Sequence, residues 1–111
     1  LIFRLQSAPG PSRALDAEIA LANGIYEFHD KGTGLVAKSG GSWERPPRYT
    51  ESIDAALTLV PDGASWEIGT YITTGKYRAY VLTDQQGSSG HGATPALALL
   101  IAIEQAKGDK A

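Results

Sequence analysis

The sequence predicts an α/β domain of the α+β kind, with a mainly antiparallel sheet and about three helices. Three observations carry this. Ile53, Ala56, Leu57 and Val60 recur at i, i+3, i+4 and i+7, the apolar stripe of a helix. Residues 65–73 and 76–84 are rich in aromatic and β-branched side chains and flank Thr73-Thr74-Gly75, which reads as a β-hairpin. Thr94-Pro95 then opens a helix whose next eight residues, Ala96 to Ile103, are apolar on every side, so it has to be buried.

Taken in order, residues 1–6 alternate Leu1, Phe3 and Leu5 with Ile2, Arg4 and Gln6, which suggests an extended segment. Ser7-Ala8-Pro9-Gly10-Pro11 breaks it. Ser12 is placed to cap a first helix over 12–23, with Leu15, Ile19 and Ala22 on one face, Asp16 near its positive end and Asn23-Gly24 as the stop. Ile25–Phe28 reads as a short strand, Asp30–Gly34 as a turn and Leu35–Ala37 as a possible return. Residues 29–48 are expected to be the least regular, because of Ser39-Gly40-Gly41-Ser42 and Pro46-Pro47. The clearest helix spans 49–60, with Thr50 as its cap candidate, and Pro61-Asp62-Gly63 ends it. In the hairpin, Trp66, Ile68, Thr70 and Ile72 share one face of the first strand. Tyr77, Ala79, Val81 and Thr83 share one face of the second. Residues 85–92 read as a polar Gly/Ser loop, and the tail 108–111 as frayed.

Composition narrows the function. Hydrophobic residues at 42% and charged residues at 20% are ordinary for a folded domain, and 111 residues suffice for a single core. With a net charge of −2 and scattered cations, the chain lacks the basic surplus that nucleic-acid binding draws on; only Arg45-Pro46-Pro47-Arg48 approaches a cluster. No cysteine is present, which removes disulfides, thiol nucleophiles and thiolate zinc sites. His29 and His91 alone cannot close a metal site, and no metal or other cofactor is expected. The longest apolar run is too short to span a bilayer, so no membrane role is expected, and the lack of cysteine fits a cytoplasmic protein. The chain starts at Leu1 without a signal-peptide pattern, consistent with a trimmed or incompletely ordered N-terminus.

Three blocks also stand together: residues 15–20 (LDAEIA), 47–63 (PRYTESIDAALTLVPDG) and 90–99 (GHGATPALAL), with a Trp-containing hairpin from Trp66 between the last two. In this order and spacing they resemble the phage ABA sandwich domain, a family of small phage and prophage proteins. The resemblance covers residues 12–107, leaving 1–11 as an extended segment and linker and 108–111 as a tail. It implies a three-layer α/β/α sandwich, a phage or prophage origin and the cytoplasm of a bacterial host. It implies no activity.

The segment 87–94 carries the strongest candidate site. Ser88, Ser89, Gly90, His91, Gly92 and Thr94 run into a helix start, where free amides and the helix dipole can hold an anion. Arg78 or Arg48 could add a charge-assisted contact. The plainer reading is a connection with an ordinary cap, since no P-loop lysine follows and the glycine spacing matches no phosphate fingerprint. Asp16, Glu18 and Asp54 are more simply helix-start or cross-layer charges than acid–base or Mg²⁺ groups. Trp43, between Gly-rich and Pro-rich stretches, is a candidate for partner contact, together with Tyr49. The leading functional reading is therefore an accessory protein that acts by binding, countering a host defence through a protein–protein contact. The alternative is a sponge that sequesters a signalling nucleotide at the Gly/Ser segment; a small hydrolase using His91 is a third reading. A homodimer is expected, to cover the apolar helix and the two-sided aromatic hairpin.

Overall fold

A computed structural model describes residues 1–71, 76–83 and 86–108. The class is α+β: four helices and two antiparallel sheets, of two and three strands, packed as an α/β sandwich.

The first element is α1, Ile2–Ser7, a helix where alternation suggests an extended segment. Leu1 and Leu5 fit helical spacing as well as strand spacing, and burial decides. Leu5 is fully buried, its N–H bonds to the Leu1 carbonyl, and α1 packs on the last helix. The helix stops at Ala8, which is extended because Pro9 follows. Ser12 caps α2, Arg13–Ala22, by accepting from the Leu15 N–H at 3.2 Å, and Gly24 at φ +72° ends it. Strands β1, Phe28–Asp30, and β2, Leu35–Ala37, pair antiparallel with Phe28 opposite Ala37.

The helix expected over 49–60 is α3, Ile53–Leu57, flanked by turns. Its cap is Ser52, which accepts from the Ala55 N–H at 3.2 Å. Thr50 is committed elsewhere. Its N–H and its hydroxyl both donate to Asp16 Oδ1 at 2.8 Å, and the Ser12 N–H donates to its hydroxyl oxygen at 2.9 Å. Those bonds hold residue 50 against the start of α2 and out of a helix.

The larger sheet runs in the order β3-β4-β5, all antiparallel. Strands β3, Ser65–Tyr71, and β4, Lys76–Leu82, form the expected hairpin, with Trp66 opposite Val81 and Ile68 opposite Ala79. Its turn, Thr73-Thr74-Gly75, lies outside the described residues, as do Asp84, Gln85 and residues 109–111. The segment read as a Gly/Ser loop is in fact β5, Gly87–Gly92, with Tyr77 opposite Gly92 and Val81 opposite Ser88.

Helix α4, Pro95–Gly108, lies across this sheet and is covered on its other side by α1 and α3. Thr94 caps it, accepting from the Leu97 N–H at 3.1 Å. Residues 96–103 are all buried, as their uniform apolarity demands. Burial of Leu97, Leu99, Leu100, Ile101 and Ile103 is a large share of the core, at about 1.5–3 kcal/mol each.

Candidate binding surface

Strand β5 sorts the predicted site residues by their parity. Ser88, Gly90 and Gly92 point inward to α4; Ser89 and His91 point to the opposite, outer face. The inward glycines are there for closeness. A Cβ on Gly90 would lie 2.5 Å from the Ala98 carbonyl oxygen and 2.7 Å from the Ala102 nitrogen; one on Gly92 would lie 2.9 Å from the Ala98 nitrogen. Only a strand without side chains lets the helix approach this far. Gly90 and Gly92 are thus occupied by packing, and Thr94 by its capping bond. Ser88 is buried with no hydrogen-bond partner for Oγ among the described residues.

The outer face brings Ser89 and His91 together with one more predicted residue, Arg78. Arg78 lies opposite His91, and Tyr80 opposite Ser89. Leu82 continues the row and Glu67 lies across from Tyr80 on β3. Tyr80 and Leu82 are 37% and 45% exposed, and no described helix covers them. The Tyr80 ring lies over Gly87, occupying the space a side chain there would take. Beside Arg78, Gly69 leaves a notch, and a cavity of about 380 Å³ opens there between Glu67, Gly69, Arg78 and Tyr80. Arg78 has no ion-pair partner among the described residues. The face can therefore offer a cation, a phenol and a hydroxyl to whatever covers it.

The remaining candidates lie elsewhere. Arg48 pairs with Glu51 at 3.4 Å in the turn before α3. Trp43 is half-exposed after β2. Tyr49, read as a partner contact, is 2% exposed and belongs to the core, where burial and the neighbouring Asp16 carboxylate push its phenol pKa up. It was drawn inward with Thr50. Asp16 is itself buried and holds the Arg13 guanidinium at 2.5 Å, while Arg13 reaches the Pro46 carbonyl. The ion pair lies within the start of α2, as a helix-start charge does, and the Thr50 bonds to Asp16 tie the first two sequence blocks together. Tyr26, also buried, donates to the Glu44 carboxylate, and that bond, with burial, raises its pKa to about 12. Sequence reasoning missed Tyr80 and Glu67 as part of the outer face; the signal was their parity with Arg78 on a paired strand.

Comparison with known proteins gives a fold likeness. A phage protein from Bacillus cereus ATCC 14579, known from a 2.0 Å crystal structure, superposes with a TM-score of 0.68 at 17% identity, covering 87% of this chain and 88% of that one. No family model matches the chain, and no curated protein does. No helix among the described residues is long and apolar enough to cross a membrane.

Proposed function

We propose that the chain is a phage-encoded accessory protein of the ABA sandwich kind that acts by binding a protein, through the outer face of β4 and β5. The observation that supports this best is the uncovered row of Tyr80, Leu82, Ser89 and His91 with Arg78 at its margin. Tyr and Arg beside exposed apolar side chains make up the composition of protein interfaces. The fold likeness to a phage protein supports the phage setting and, with it, the cytoplasm of a bacterial host. A host defence component is the partner this setting favours. The test is infection of a defence-carrying host that expresses the chain. Wild type should restore plaquing, and Tyr80→Ala with Leu82→Asp should lose it while the protein melts normally. Equal plaquing by the folded double variant would move the contact off this face.

One observation favours a nucleotide instead: Arg78 and His91 are cross-strand neighbours, able to grip a phosphate together. Calorimetric titration with mono-, di- and cyclic nucleotides separates the two readings. Submicromolar binding that is lost in Arg78→Ala would favour the sponge.

A further inference from the structure

We propose that the chain forms a two-fold dimer by antiparallel pairing of β3 with β3 of a second copy, centred on Ile68, into a continuous six-stranded sheet. β3 is an edge strand whose outer backbone groups bond to no other described residue. Apart from the single charge of Glu67 it carries none of the devices that blunt an edge. Its seven residues hold no proline and no lysine, and its register with β4 is unbroken from Ser65 to Tyr71. The other edge, β5, has α1 packed on it.

The inner side of β3 is also unfinished. Trp66 is 44% exposed although it points to the side that α4 covers, and Thr70 beside it is exposed. The helix stops short of this margin.

Pairing that keeps inner side chains on the inner face requires a two-fold axis through a residue, not between residues. An axis at Ile68 overlaps the whole strand and sets Trp66 against Thr70 of the second copy, with Ile68 against its own counterpart. The inner row then reads Ala79, Ile68, Ile68, Ala79 across the two chains, one apolar stripe. On the outer face Glu67 comes opposite Gly69 of the second copy, and beyond that glycine stands the second copy's Arg78. Those two positions are two strand spacings apart, about 10 Å. Glutamate and arginine side chains span that distance when the residue between them has no side chain. Neither Glu67 nor Arg78 has an ion-pair partner within the described chain. The Gly69 notch, the unpaired carboxylate and the unpaired guanidinium therefore complement each other under one symmetry operation, twice. An axis at Glu67 would oppose two carboxylates, and one at Gly69 would set the two glycines against each other and leave no glycine between Glu67 and Arg78 of the second copy.

The dimer is independent of what covers the β4–β5 face; of the residues its test uses, Arg78 also borders that face, whereas Glu67 and Gly69 lie on β3. Sedimentation velocity at micromolar concentration should give a species of twice the 11.7 kDa chain mass. Glu67→Arg and Arg78→Glu should each weaken the dimer by at least about tenfold, and the double exchange should recover most of that loss. Gly69→Val should weaken it too, with an unchanged circular dichroism spectrum, since a Cβ there meets nothing in the single chain. A monomer for wild type would overturn the proposal. So would a dimer indifferent to either single exchange, or single exchanges that weaken it with no recovery in the double variant.

Discussion

The contact between β5 and α4 and the contact between α2 and the segment before α3 join layers by opposite means. At the first, Gly90 and Gly92 meet Ala98 and Ala102 with no polar side chain bonding across, and shape alone sets the fit. At the second, Asp16, Thr50, Ser12 and Arg13 satisfy one another through three hydrogen bonds and an ion pair. The first should tolerate no added volume; the second should tolerate no lost partner.

The largest effect is expected in the shape-matched half. Leu100→Asp places a charge in the fully buried centre of α4 with no partner, and the chain should fail to fold. Circular dichroism on the purified variant would show it; a cooperative melt of unchanged midpoint would mean α4 is not the core. Gly90→Val follows. Its Cβ would collide with backbone atoms of α4, which cannot step aside as a side-chain tip can, so a loss of about 3 kcal/mol or more in urea is expected. The same reasoning applies to Gly92→Val, which as a loop residue would have been a probe of ligand binding and as a strand residue is a probe of packing.

In the hydrogen-bonded half, Asp16→Ala leaves the Thr50 amide and the Arg13 guanidinium without their acceptor. Because Arg13 is partly exposed, water offsets some of the loss, and about 2–3 kcal/mol is expected. Thr50→Val, which keeps the amide bond and loses the hydroxyl, should cost about 1–2 kcal/mol. If the two variants combined cost no more than Asp16→Ala alone, the groups act as one unit, as the shared Oδ1 acceptor implies.

The same contrast explains what the sequence disclosed. The α4 helix, the α2 cap and stop, and the β3–β4 hairpin follow from local rules: uniform apolarity, Ser12 and Asn23-Gly24, alternating β-branched and aromatic residues. The misread segments are those in which tertiary packing overrides local preference. Residues 2–7 alternate like a strand but are helical because burying Leu5 against α4 outweighs the pattern. Thr50 has the chemistry of a cap and spends it on Asp16, thirty-four residues away. Gly87–Gly92 has the composition of a loop; its strand character lay in the two-residue spacing of Ser88, Gly90 and Gly92, matched by Ala98 and Ala102 four apart on α4. Of the candidate site, that parity separates Ser89, His91 and Arg78, which share a surface, from Ser88, Gly90 and Gly92, which do not.

The smallest effect sharpens the comparison most. Ser88 and Ser89 are adjacent and chemically identical, yet β5 sends one to the glycine-lined interior and the other to the outer face. Ser88 Oγ is buried in the shape-matched contact without a hydrogen-bond partner among the described residues, so its hydroxyl is desolvated with no bond in return from them. Ser88→Ala removes that polar atom and adds no volume, and should raise stability by about 1 kcal/mol. Ser89→Ala, on the half-open outer face, should leave stability within about 0.5 kcal/mol of wild type. Paired denaturant melts of the two single variants measure the difference directly. A stability loss in Ser88→Ala would show that the hydroxyl is bonded after all. The β5–α4 contact would then rest partly on hydrogen bonding, and its contrast with the Asp16–Thr50 lock would narrow.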